Sequence, residues 1–131
     1  MYSALMTGAQ VRKSRNRQIG AFGEATIAAY LQSRNFEIID RNWRIKEGEI
    51  DLIASDQSGV IHFVEVKTRS SLAFGDPLEA IDRSKARRLQ RLALAWLVTN
   101  HHFGDEFSID VAAVLLTADG SHSIDYRENI L

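Results

Sequence analysis

Apolar positions along this chain switch between helical and alternating spacing, and the switches mark out its elements. In "IGAFGEATIAAYLQSR", residues 19–34, Ile27, Ala28 and Leu31 recur at helical spacing and predict an α-helix. "FEIIDRNWRI" reads as a strand, and "GEIDLIASDQSGVIHFVEVKTR", residues 48–69, as two strands turning at "SDQSG". "FGDPLEAIDRSKARRLQRLALAWLVTN" predicts a second long helix. Asp76 is placed as its N-cap, Pro77 at its first position and Glu79 to complete a capping box. "FSIDVAAVLLT" is nearly all apolar, as in a strand buried on both faces, and "SHSIDYREN" is a weaker last strand. The strand–helix–strand step between residues 60 and 116 favours a parallel pair, and the hairpin an antiparallel one. The expected fold class is therefore α/β, a mixed sheet flanked by helices.

The hairpin carries charge where a plain amphipathic sheet does not need it. Alternation puts Glu49, Asp51 and Ile53 on one face of the first strand, and Ile61, Phe63, Glu65, Lys67 and Arg69 together on the second. A turn centred near Ser58 sets Asp51 roughly across from Glu65. Two carboxylates about 4 Å apart repel by roughly 1 kcal/mol in water and about 4 kcal/mol at an effective dielectric near 20. Lys67 and Arg69 offset part of that, and a divalent cation would offset more; hard oxygen ligands suit Mg²⁺ or Mn²⁺. A solvated face with cross-strand Glu–Lys pairs is the plainer alternative. Against it, Glu24 falls on the apolar stripe of the first helix. Lys85 interrupts the stripe Leu78, Ile81, Leu89, Leu92 and Trp96 of the second. Charges on core-facing stripes are costly unless they are paired, line a cleft or snorkel.

Composition narrows the setting. At 131 residues, 45% hydrophobic and 25% charged, the chain suits one soluble domain. It has no cysteine, which excludes disulfides, thiolate metal sites and a Cys nucleophile, and it has no apolar run of membrane-spanning length. A cytoplasmic location is expected. Residues 1–23 hold Arg12, Lys13, Arg15 and Arg17 and no acid, whereas the remainder has 12 basic and 17 acidic residues. Residues 1–18 are accordingly read as a basic arm, either wrapping nucleic acid or solvated and disordered, and residues 19–131 as a single domain. Such an Arg-rich start is also found in transit peptides, while no apolar segment of a secretory signal follows it.

"GEATIAAYL", "RNWRIKEGEIDLIA", "FVEVKTR", "FGDPLEAI" and "FSIDVAAV", in this order and spacing, resemble the YraN family of small bacterial endonuclease-like proteins. The acidic residue ending "EID" and the following "EVK" resemble the PD-(D/E)xK nuclease signature, with Ile50 standing where that signature has proline. The resemblance runs from about Gly20 to Val114 and implies distant kinship with archaeal Holliday-junction resolvases. It implies a restriction-endonuclease-like αβββαβ core and a Mg²⁺- or Mn²⁺-dependent endonuclease acting on structured or damaged DNA. The alternative is an inactive nucleic-acid-binding protein that keeps the fold. By position, Asp51, Glu65 and the Val66 backbone carbonyl would hold the metal, with Glu24 or Glu49 as a further ligand. Lys67 would orient or deprotonate the attacking water, which makes the catalytic set Asp51, Glu65, Lys67 and Glu24. A junction resolvase would need a homodimer to make paired cuts.

Remaining signals divide between bland and functional readings. Arg83, Lys85, Arg87, Arg88 and Arg91 make the second helix basic, either as a solvated face or as contacts to DNA phosphates. Lys85, Arg88, Arg69, Arg44, Arg12 and Lys13 are the expected nucleic-acid-binding residues. Trp43, between two arginines, is read as a core or edge residue ahead of a base-stacking one. His62 alternates onto the face opposite the carboxylates and is read as structural. His101-His102 is read as capping a helix end rather than binding zinc. Gly20 and Gly23 are read as helix-packing glycines or as openings toward a phosphate. Ser70-Ser71 lacks a partnered base.

Overall fold

The computed structural model describes residues 5–70 and 76–131. The elements are α1 (Gly8–Ser33), β1 (Glu37–Ile45), β2 (Gly48–Ser55), β3 (Ile61–Arg69), a short 3-10 turn (Pro77–Ala80), α2 (Arg83–Thr99), β4 (Phe107–Leu116) and β5 (His122–Arg127). The five strands lie in sequence order in one sheet; β3 and β4 run parallel and every other pair is antiparallel. This mixed α/β sheet has the expected αβββαβ order followed by one more strand. No described helix is long and apolar enough to cross a membrane.

Each helix covers one face of the sheet. Ile27, Ala28 and Leu31 of α1 pack with Leu52, Ala54, Val64, Ala112 and Val114. Leu89, Leu92, Ala93, Trp96 and Leu97 of α2 pack with Ile50, Ile53, Ile61, Phe63 and Ile109. Trp96 meets Phe63 edge-on at 5.7 Å, and Trp43 packs against the α2-side core, in keeping with its core reading. At Gly23, α1 approaches β3 so closely that a Cβ would fall 1.8 Å from Thr68 Oγ1. Any side chain there would force either the helix or Thr68 to move.

The β2–β3 turn fixes the register on which the site depends. The Asp56 carboxylate accepts the N–H groups of Ser58 and Val60 at 2.8 and 3.0 Å, and Gly59 takes a φ of +87° that favours glycine. Leu52 then pairs with Val64 as the last rung of the β2–β3 ladder. Asp51 and Glu65 are the next positions beyond it, near enough for the Glu65 charge to act on Asp51.

Three details depart from the sequence reading. First, α1 starts at Gly8 rather than Ile19, so the basic stretch is helical. Thr7 and Gln10 form a reciprocal capping box there, at 2.7 and 3.1 Å. Second, the predicted second helix divides. Asp76 caps only the 3-10 turn, Ile81 turns extended, and Asp82 caps α2 by accepting the Lys85 N–H at 2.8 Å. Leu78 is consequently exposed rather than on the buried stripe. Third, strict alternation fails in β2, because Ile50 and Ile53, three residues apart, pack in the same core. The rung skipped between them is Asp51 opposite Asn42, whose φ of +50° locally reverses β1. Ser71 and the "FG" of "FGDPLEAI" lie outside the described residues.

The polar exceptions in the core are paired. His62 is buried, with Nδ1 2.7 Å from Asp110 and Nε2 3.0 Å from Asp56. Asp110 also accepts from Ser108, Tyr126 and the Asn129 N–H, which ties β3, β4, β5 and the C-terminal segment together. This agrees with the structural reading of His62. His102 binds Asp105 at 2.8 Å and stacks on Trp96 at the end of α2.

Candidate active site

Beyond Leu52 and Val64 the strands part: β2 continues with β1, while β3 stays with β4 through Arg69. The fork leaves the Val66 N–H without a β2 backbone partner, and Asp51 Oδ2 accepts it at 2.8 Å. A cleft of about 470 Å³ opens at this point. Asp51, Glu65, Val66, Lys67 and Arg69 line it from the strands, with Glu49 at its edge, and Glu24 enters from α1. Lys85 arrives from α2 on the opposite face, its Nζ 3.0 Å from Glu65 Oε1, the same oxygen that Lys67 Nζ approaches to 3.2 Å. The two charges that interrupt the helix stripes therefore converge on the hairpin.

Electrostatics at the fork are those of crowded carboxylates in a poorly solvated place. Burial, followed by the nearby Glu65 charge, pushes Asp51 up to about 7. Burial also raises Glu24, against a hydrogen bond from Asn42 and with help from Glu49 and Glu65. Lys67 is held below the ordinary lysine range by burial and by the second amine, Lys85, with Glu65 pulling the other way.

The chemistry of the donor set suits a hard divalent cation: Asp51, Glu65 and Glu24 all line the cleft with oxygen ligands, and Asp51 is already destabilised as an anion. The arrangement is not a finished cage. Among the described residues no three acidic or imidazole side chains meet closely enough to hold an ion, and Glu65 Oε1 is engaged by both lysines.

Of the other expected residues, Glu49 lines the cleft and Lys85 reaches Glu65, whereas Arg44, Arg88, Arg12 and Lys13 are not among the lining residues. Glu49 pairs with Arg44 at 2.7 Å across β1 and β2, in an exposed position. Arg88 is exposed on α2 with its stem beside Gly48. Arg12 and Lys13 are exposed on the first half of α1. Lys85 is turned inward to Glu65 rather than out to solvent.

Sequence reading missed Asn42, which hydrogen-bonds Glu24, and Asn16, Ile19 and Thr68 on the cleft wall. Asn42 carried a signal, being a poor strand former in the middle of a strand pattern. Asn16 and Ile19 carried one too, because they continue the spacing of Gly23, Ile27 and Leu31 toward the N-terminus.

Comparison with known proteins places the chain among relatives of the same size. It is 46% identical over 112 residues to a UPF0102 protein of Beutenbergia cavernae, covering 86% of this chain and 94% of that protein. It is 40% identical over 114 residues to a UPF0102 protein of Trichlorobacter lovleyi, covering 87% and 90%. Among solved structures, a repair endonuclease from Pyrococcus abyssi is similar with a TM-score of 0.39 and 20% identity, over 72% of this chain and 37% of that one. A structure of an EndoMS–dsDNA2 complex has a TM-score of 0.36 and 17% identity, over 92% and 41%. The chain thus spans about two fifths of the length of these solved chains. A family model described as "Uncharacterised protein family UPF0102" matches residues 23–114. From that match and the two close relatives, the chain belongs to UPF0102, the YraN family.

Proposed function

We propose that the cleft hydrolyses phosphodiester bonds in structured or damaged DNA with the help of Mg²⁺ or Mn²⁺. The observation that carries this reading is the buried Asp51 carboxylate set against Glu65 at the fork, with Lys67 on the same Glu65. Binding a polyanion has no use for crowded carboxylates, whereas cation-assisted hydrolysis does.

Asp51, Glu65 and the Val66 carbonyl would hold the cation, and Glu24, positioned by Asn42, would contribute from the helix side. When bound, the cation supplies charge that neutralises the scissile phosphate and lowers the pKa of the attacking water. Lys67, with its ammonium destabilised by burial and by Lys85, would orient or deprotonate that water and meet charge on the phosphate. Lys85 acts through Glu65 as a positioning residue. Arg69 would take a neighbouring phosphate, and Arg88, Arg44, Arg12 and Lys13 more distant ones.

A second reading is a DNA-binding protein that keeps the fold without catalysis, and the engagement of Glu65 by two amines favours it. Incubation with branched, flapped, single-stranded and duplex DNA, with Mn²⁺ and then EDTA, decides between them. The nuclease reading expects cleavage that EDTA abolishes and that Asp51→Ala and Lys67→Ala lose. It also expects Mn²⁺ to raise the Tm of the wild type but not of Asp51→Ala. Salt-sensitive binding with no cleavage of any substrate supports the second reading.

A further inference from the structure

The first half of α1 is helix without a core beneath it. The buried residues of α1 begin at Gly23, and residues 8–18 are exposed apart from half-buried Ser14. Helices of this length are marginal in isolation, so the segment depends on its capping box and on the anchored half. It also carries like charges four apart, at Lys13 and Arg17, and no acid to relieve them. None of Arg12, Lys13, Arg15 and Arg17 forms an ion pair among the described residues.

Two of these four charges lie on the face that packs on the sheet. The face that packs on the sheet through Leu31, Ile27 and Gly23 continues as Gly20 and Asn16, which line the cleft. Counting back from Gly20, Arg17 lies one turn and Lys13 two turns along that face, whereas Arg12 lies roughly 100° to one side of Lys13 and Arg15 roughly 200° round from it. Gly20 differs from Gly23. A Cβ at Gly23 would strike Thr68, but at Gly20 it would meet no protein atom within 4 Å and would project into open space. Its missing side chain serves no protein packing.

We infer that this face of α1 is a track for a single DNA strand, which leaves the cleft between α1 and the end of β3 with its phosphates against Lys13 and Arg17. The inference rests on the phosphodiester reading of the cleft and adds the form and path of the substrate. One wall of the passage is Asn16 and Gly20, the other Lys67 and Arg69. A charged groove that follows the backbone is how single strands are held without sequence preference.

The test is anisotropy binding of a labelled single strand of about a dozen nucleotides, in EDTA over a salt series, to wild type, Lys13→Glu, Arg15→Glu and Gly20→Leu. Lys13→Glu and Arg15→Glu change the charge equally, so only the path separates them. Lys13→Glu is expected to weaken binding by about tenfold and flatten the salt dependence, and Arg15→Glu by less than about threefold. Gly20→Leu is expected to weaken binding while leaving the salt slope unchanged and raising Tm, since leucine favours helix over glycine. Equal losses in the two Glu variants, no loss in either, or tighter binding of a blunt duplex than of the single strand would overturn the inference. Binding in EDTA needs no turnover. A Lys13/Arg15 difference without cleavage of any DNA therefore upholds the track and sinks the nuclease reading, while cleavage with equal Glu variants does the reverse.

Discussion

Asp51 accepts the Val66 N–H at 2.8 Å across the fork between β2 and β3, so a carboxylate completes what strand backbone would otherwise complete. That bond holds an acid in a place that disfavours its charge.

Asp51→Asn should therefore stabilise the protein in the absence of metal. Asp51 titrates near 7 in the fold against an ordinary 3.8, so the folded state keeps a proton that the unfolded chain has lost. Stability falls as pH rises through that interval, then levels off. Asparagine keeps an oxygen for the Val66 N–H and has no charge to desolvate. We expect a Tm above wild type at pH 8 and close to it at pH 4; a lower Tm at pH 8 would mean that the anion is well accommodated.

Lys85 should matter to turnover more than to DNA affinity, because its ammonium is spent on Glu65 at 3.0 Å. Lys85→Met is expected to lower cleavage by about tenfold or more, with single-strand Kd changed less than about twofold; the reference scale is tenfold per 1.4 kcal/mol. A Kd shift matching that of an exposed arginine would return Lys85 to the DNA-contact role.

The His62 cluster makes stability fall with rising pH as well, over a higher interval than Asp51 does. Burial works to lower His62, but its bonds to Asp110 and Asp56 outweigh that and lift it to about 9. Its contribution is complete below the ordinary histidine range and is lost as pH rises through about 9. Asp110 is shifted down, so its share is present above the ordinary aspartate range and is lost in strong acid. His62→Gln should cost about 3 kcal/mol at pH 6 by denaturant unfolding, the scale for breaking a buried pair, and its Tm should vary less between pH 7 and 10 than that of wild type.

Gly23→Ala tests the seating of α1 on β3. Its Cβ would fall 1.8 Å from Thr68 Oγ1, which forces the helix or the threonine to move. A loss of about 1–3 kcal/mol is expected, partly recovered by adding Thr68→Ala, since the hydroxyl is the nearer obstacle. Additive losses in the double variant would mean that the strain lies elsewhere.

The nearness of Asp51 and Glu65 was legible because the "SDQSG" turn sets the register and neither strand slips before the fork. The convergence of Glu24 and Lys85 was legible as charge on apolar stripes. The direction of Asp51 was not: alternation assumes a regular pleat, and the reversal at Asn42 breaks it across both strands. The length of α1 was hidden for a physical reason, because its first half buries nothing and so leaves no apolar period to read. The split of the second helix rests on Asp82 offering a cap next to an extended Ile81, a local competition that the stronger Asp76–Pro77 signal masked.

The most direct measurement pairs two readouts on Asp51→Asn at pH 8: Tm without metal and DNA cleavage with Mn²⁺. Asparagine keeps the fold and the Val66 bond but removes the negative charge that would draw a cation. The expected result is a protein at least as stable as wild type whose metal-dependent cleavage falls by about a hundredfold or more, the scale for losing one essential electrostatic group. Cleavage at the wild-type rate by a well-folded Asp51→Asn protein would contradict the assignment of the fork as the catalytic site.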